Sequence, residues 1–372
     1  MGFALAAWLG GLSGCGDAVG SEEQDVVLDT ETELAWAQYL ANLEYARGYE
    51  ATCSREALAE ADHRVLVTGY GRFLSSRYNA TGGMVSALIE ELEYPLTEPP
   101  PSGEIDPPGP QTAVAQGYME LPGAGRVAVC AMVLPVYWDL APYLLAKEMV
   151  AFEPDMLLMN GIAGYRQATW LELGATNRAK SLRDGSDISR PDDEDAPFPY
   201  VPLIPDADES EVTRPNLASW EVMRDAMLES LEANGEVTQD GTPFSDVVQG
   251  ALLAGFPRLS NTYLCNNVTY TVGYLMDHHD EEVTLMEASH VRDDVEDGLP
   301  ITLGVDMSEV PRLFMHWSSG IRDGHLEVGA EMMRAAIDAQ LMHLHAEEGG
   351  PVRGDEVTPD LPGSPFDNGT TH

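Results

Sequence analysis

Basic residues are scarce in this chain. There are 20 Lys and Arg against 62 Asp and Glu, a formal net charge of −42 over 372 residues. A surface of that sign offers no footprint for nucleic-acid phosphates and does not dock on an anionic membrane. It reads as a strongly solvated acidic surface, as in a protein from a salty habitat. Long apolar runs are also missing, and no stretch approaches the roughly twenty apolar residues of a membrane-spanning helix. Four cysteines occur and none forms a CxxC pair, so a zinc site of that spacing is not indicated. A GxSxG elbow is absent, which argues against a serine hydrolase of the α/β-hydrolase type. The glycine pair in "VTGYGRF" at 67–73 follows a strand but is not GxGxxG, so no dinucleotide site is read there. No internal repeat stands out.

What is present supports one sizeable core, because 44% of the residues are hydrophobic. Residues 2–14, "GFALAAWLGGLSG", are apolar or small and end at Cys15. That length fits a secretory apolar region better than a spanning helix, the competing reading being a buried N-terminal helix. "LSGC" resembles the lipobox of bacterial lipoproteins. The resemblance implies a signal peptide over 1–15, lipidation at Cys15 and a location at the cell envelope or surface, with the cytoplasm as the alternative. Membrane contact would then run only through the lipid anchor. The acidic, polar residues 16–32 read as a tether.

Further on, "ETELAWAQYLANLEYAR" at 31–47 has near-helical apolar spacing, and 33–63 is expected to be a helical extension. "HRVLVTGYG", "GRVAVCAMVLPV", "DMLLMNGIAG" and "PRLFMHW" read as strands. "GGMVSALIEELE", "DLAPYLLAKEMVAFEPD", "ASWEVMRDAMLESLEANG", "FSDVVQGALLAG", "CNNVTYTVGYLMDHH" and a closing run from His325 read as helices. Strands alternate with helices, so the class is α/β. Proline-rich and acidic stretches near 95–112 and 184–215 read as loop insertions in one domain over 64–346. Residues 347–372 are expected to be a disordered tail.

Candidate chemistry centres on Cys265 in "LSNTYLCNNVTY". A core thiol, half of a disulfide, a metal ligand and a nucleophile are all open, and burial alone favours the core thiol. If a helix begins there, its unpaired N–H groups and dipole favour a thiolate. His316 ends a strand at the edge where parallel sheets place their sites, and Glu172 follows a glycine-rich strand end. A thiolate nucleophile needs such a base and an orienting group. "DHHDEE" at 277–282 reads as a solvated acidic turn rather than a metal site, since neighbours on a helix point apart. His343 and His345 read as surface residues. Cys53 and Cys130 leave room for a disulfide.

These motifs resemble the pyroglutamyl-peptidase I (pyrrolidone-carboxylate peptidase) family of cysteine peptidases. "VLVTGYGRF" is similar to its VTGF-x-PF opening and "LLMNGIAGYR" to its GQAGGR segment. "ELGATN" is similar to its ERxAxN, "SNTYLCNNVTY" to its YxCNxxxY region and "LFMHW" to its FxHxP, all in the family's order. The resemblance implies a three-layer α/β/α fold with a mixed, mostly parallel, phosphorylase/hydrolase-like sheet. It also implies hydrolysis of the amide after an N-terminal pyroglutamyl residue, by Cys265 as nucleophile, His316 as base and Glu172 as orienting group. Tyr70, Phe73, Tyr263 and Leu264 fall at positions that frame the substrate, with Arg183 offset by about one residue. The implied partner is a peptide with a blocked N-terminus, no metal or nucleotide cofactor is needed, and an oligomer is possible. Arg72, Ile162, Leu173 and Trp317 depart from the family pattern. Those departures leave a second reading open, an exported relative that is non-catalytic or altered in specificity and acts as a binding or surface protein.

Overall fold

In the strands of this chain, alternate side chains enter two separate cores. Val65 and Val67 face one core and Leu66 and Tyr70 the other, and the strand through Cys130 divides its residues in the same way. That period-2 split over near-continuous apolar runs is what a sheet covered on both faces requires. The computed structural model describes residues 30–73, 77–163, 167–180, 184–186, 188, 200–239, 241–257, 262–292, 295 and 297–361.

The main sheet contains β1 (His63–Tyr70), β2 (Ala113–Leu121), β3 (Gly125–Leu134), β4 (Met156–Ala163), β5 (Gln167–Glu172), β6 (Val248–Ala254) and β7 (Arg312–Ser318). Their order is β6-β5-β7-β4-β1-β3-β2. β7, β4, β1 and β3 are parallel neighbours, and β6 is parallel to β5. The β5–β7 and β2–β3 pairs are antiparallel. The sheet is therefore mixed and mostly parallel.

Helices α1 (Thr30–Gly48), α3 (Leu140–Phe152) and α5 (Leu264–Asp277) cover one face. Helices α2 (Ala80–Ser86), α4 (Trp220–Asn234) and α6 (Leu326–Met342) cover the other. This is a three-layer α/β/α domain with insertions. Among the described residues, no helix is long and apolar enough to cross a membrane.

Several sequence expectations need correction. "FSDVVQGALLAG" is not one helix. It forms a four-residue helical turn, Phe244–Val247, and then strand β6. A short apolar run fits either periodicity, and here pairing with β5 decides it. β2 and β5 were not anticipated. α2 ends at Ser86 instead of running to Glu93, and Leu88, Ile89 and Leu92 are buried beyond its end. The 184–215 insertion is not only surface, because Asp184, Leu203, Ile204 and Arg214 are buried. The tail expected to be disordered is ordered as far as 361, and Val352–Arg353 pairs with Leu217–Ala218. Its remainder, the signal-like segment with Cys15 and most of the acidic tether lie outside the described residues.

The "DHHDEE" turn is only partly solvated. Asp277 pairs with the buried guanidinium groups of Arg214 and Arg312, and His278 contacts Glu211 at 2.8 Å. Cys53 and Cys130 form a disulfide that ties the segment after α1 to β3. Their sulfurs and the Glu148 carboxylate all lie within 4.8 Å of one another. Because the sulfurs are bonded to each other, this buried cluster offers no thiolate to a metal. Glu148 instead accepts from the Thr52 and Cys53 N–H groups at 2.7 and 2.8 Å and from the Tyr49 hydroxyl at 2.6 Å.

Candidate active site

Strand periodicity assembles the site. β5 and β7 are antiparallel, with Glu172 opposite Phe314 and Trp170 opposite His316. Directly opposed residues share a face, so Glu172 and His316 both point toward the α5 layer. There His316 Nδ1 donates to Glu172 Oε1 at 2.7 Å, with both side chains almost fully buried. That bond leaves the other ring nitrogen for a second partner, and the Cys265 sulfur lies near enough to favour the charged ring. Burial by itself would hold the ring neutral. The Glu172 carboxylate, with its hydrogen bond to the ring, and the Cys265 sulfur outweigh it and raise the His316 pKa to about 10.

Cys265 is the second residue of α5, half-buried and in no disulfide. No side chain caps α5 at Tyr263, so the first-turn amides have no acceptor within the helix. The two asparagines after the cysteine fix the helix start. Asn266 Nδ2 donates to the carbonyls of Thr176 and Arg178, both at 2.9 Å, and its Oδ1 accepts from the Thr176 N–H at 2.9 Å. Asn267 donates to Asp139 at 3.2 Å. Beneath the thiol lies Gly161 of β4, paired with His316. A Cβ built on Gly161 would meet Phe314 Cζ at 2.7 Å and Cys265 Sγ at 2.9 Å, so only glycine lets helix, thiol and sheet approach this closely. On the opposite face Asn160 accepts from Trp317 Nε1 and donates to the Thr68 carbonyl, each at 2.9 Å, which locks β7, β4 and β1 together.

The residues expected to frame a substrate join the core on the Cys265 side. Tyr70 and Leu264 are buried there, and Phe73 and Tyr263 are half-buried against them. Phe73 and Tyr263 meet edge to face at 6.2 Å. Trp138, which sequence reasoning missed, packs edge to face on Tyr263 at 5.3 Å. Its position just beyond the end of β3, at the edge that carries His316 and Tyr70, was the available signal. Asp184 holds the backbone there by accepting from the Trp138 N–H at 2.8 Å. Arg72 is buried and paired with Asp106, whose backbone N–H and carbonyl bond to Gln38 of α1. The N-terminal helix thus buttresses the loop that follows β1. Arg183 lies outside the described residues. A cavity of about 580 Å³ lined by Gln167, Thr242, Asp246, Ser318 and His325 includes none of the candidate site residues.

Fold and site together define an α/β protein with a free thiol at a helix start, near a histidine–carboxylate pair carried on two adjacent strands of the sheet. No protein-family model matches the chain, and no curated protein matches it. Among solved structures, it is similar to a mutant pyrrolidone carboxyl peptidase from the hyperthermophile Pyrococcus furiosus. That likeness has 18% identity and a TM-score of 0.42, and covers 76% of this chain and 99% of the other. It is also similar to pyrrolidone carboxyl peptidase from Thermococcus litoralis, at 14% identity and a TM-score of 0.43, over 76% and 94% of the two chains. Bacillus amyloliquefaciens pyroglutamyl peptidase I matches at 14% identity and a TM-score of 0.42, over 75% and 97%.

Proposed function

We propose that this protein is a cysteine peptidase of the pyroglutamyl-peptidase type, which hydrolyses the amide after an N-terminal pyroglutamyl residue. The observation that carries the reading is the buried Glu172–His316 contact at 2.7 Å, with the Cys265 sulfur near enough to favour the charged ring. The ordered set of five motifs supports it independently. A protonated His316 supplies the countercharge that a thiolate nucleophile needs.

In the proposed reaction the Cys265 sulfur attacks the carbonyl carbon, and the first-turn amides of α5 receive the developing oxyanion. The carbon–nitrogen bond breaks as His316 gives its proton to the leaving amine. Water then attacks the thioester with His316 as base, releasing the acid and restoring the thiol. Glu172 holds the ring in the orientation both steps require. The chain's own residues supply every role without a metal or nucleotide. We also infer export to the cell envelope, supported by the lipobox-like start and by a disulfide of the kind that persists in oxidising compartments.

The test is release of a chromogenic amine from a pyroglutamyl amide in dithiothreitol and high salt, beside Cys265→Ala. Cys53 and Cys130 are buried, so mild reductant should clear an oxidised Cys265 and spare their bond. Turnover that vanishes in Cys265→Ala is the expected result. No turnover together with an unreactive Cys265 would replace this reading with the non-catalytic binding protein.

A further inference from the structure

The Tyr70 hydroxyl is buried and makes no hydrogen bond to any described residue. The position as a whole is only 4% exposed. A buried donor without a partner is costly, whereas an apolar ring of the same shape would carry no such cost. Such a group calls for a partner that the described residues do not supply, such as a water, an ion or a ligand.

Its place in the sheet indicates what that partner is. β1 and β4 pair from Val65 with Met156 to Thr68 with Met159. The pairing ends there; continued two residues past its end, that register sets Tyr70 beside Gly161, and Gly161 is paired with His316. Tyr70, Gly161 and His316 therefore lie side by side at the same end of three neighbouring parallel strands. The Cys265 sulfur lies over the glycine in the middle, near both the imidazole on the strand to one side and the phenol on the strand to the other. The amine expelled in the proposed reaction must lie at His316, which gives it a proton. The acyl half must then extend the other way, toward Tyr70 and the Phe73, Tyr263 and Trp138 rings.

Building on the proposed peptidase reading, we infer that Tyr70 is a specificity-determining residue. Its O–H donates a hydrogen bond to an acceptor atom carried on the acyl group itself, such as a ring carbonyl. The site therefore selects compact acyl groups with that acceptor over hydrocarbon groups of the same shape. Burial, and then the neighbouring Cys265 and Tyr263, push the Tyr70 pKa well above that of an ordinary phenol, so the hydroxyl stays a donor. A site built around a buried donor rejects an analogue that leaves the donor unpaired far more strongly than an apolar pocket discriminates shape.

The experiment labels Cys265 in the full chain with two chloromethyl ketones, one carrying a 5-oxopyrrolidine ring and one a cyclopentane ring. Labelling is followed by intact mass. Each rate is divided by the rate with iodoacetamide on the same protein, so that any change in the thiol itself cancels. The unaltered protein should prefer the oxo ring by about tenfold or more, and Tyr70→Phe should bring the ratio close to one. An unchanged ratio in Tyr70→Phe, or no preference in the unaltered protein, overturns the role of Tyr70 and leaves the reactive thiol standing. If no reagent labels Cys265, the peptidase reading fails and the inference fails with it. If labelling proceeds but pyroglutamyl amides are not hydrolysed, only the peptidase reading fails, and the ratio still decides Tyr70.

Discussion

Glu172→Gln tests the electrostatics of the site most directly. The His316 pKa of about 10 against an ordinary 6.5 corresponds to about 5 kcal/mol of preference for the charged ring. Burial opposes that preference, and Glu172 and Cys265 together create it. A single carboxylate at hydrogen-bond distance accounts for roughly 1–3 pH units. Gln keeps the size and one acceptor oxygen of Glu but loses the charge. The midpoint of His316 should therefore fall by about 1–3 pH units, read from the imidazole ¹⁵N shifts across pH 5–11. If His316 delivers the proton to the leaving amine, activity is lost as pH rises through its pKa, and that alkaline limb should move down with the midpoint. Turnover near neutral pH should fall roughly 10²- to 10⁴-fold, by analogy with loss of the orienting carboxylate in a serine triad. The stability consequence has a definite sign. The folded chain holds this proton more tightly than the unfolded chain, so the stabilisation is complete below pH 6.5 and fades as pH rises through about 10. Unfolding midpoints should thus drop more steeply between pH 7 and 10 in the unaltered protein than in Glu172→Gln. A midpoint still near 10, with turnover within twofold, would refute the reasoning.

Other outcomes follow from packing and pairing. Gly161→Ala places a methyl group against Phe314 and the Cys265 sulfur and should cost about 1–3 kcal/mol in urea unfolding while slowing alkylation of Cys265; unchanged values for both would show that the helix start yields easily. Replacing both Cys53 and Cys130 by Ala opens a bridge between residues 77 apart and should lower stability by up to about 4.5 kcal/mol on the chain-entropy estimate. A loss of only a few tenths in chemical denaturation would mean that the unfolded chain gains little freedom. Asp277→Asn leaves the buried Arg312 guanidinium without a carboxylate, while Arg214 keeps Glu211, and should cost about 3–5 kcal/mol; a variant as stable as the parent would show that water reaches Arg312.

Much of the layer order could be read from local pattern. The four parallel strands are near-continuous apolar runs, and α1, α3, α4, α5 and α6 carry helical spacing or recognisable starts. β6 could not be read, because "VVQGALLA" is short enough to satisfy either periodicity, and only its neighbour β5 makes it a strand. β5 itself lies in a run whose Trp170 and Glu172 gave no alternation signal of their own. The ordered end of the chain was also illegible, since Val352–Arg353 acquires its structure from pairing with Leu217–Ala218.

The sequence by itself determined the acidic surface and the α/β class, and it singled out Cys265, His316 and Glu172 as the candidate site residues. These follow from composition and from short motifs, which are local properties. Tertiary structure decided which groups meet. Antiparallel pairing of β5 with β7 puts Glu172 on the same face as His316, although the two are 144 residues apart. Parallel register sets Gly161 under the thiol and Tyr70 beyond it, and closure of a 77-residue span joins Cys53 to Cys130. Such distances come from strand register and layer packing, which no single stretch of chain encodes.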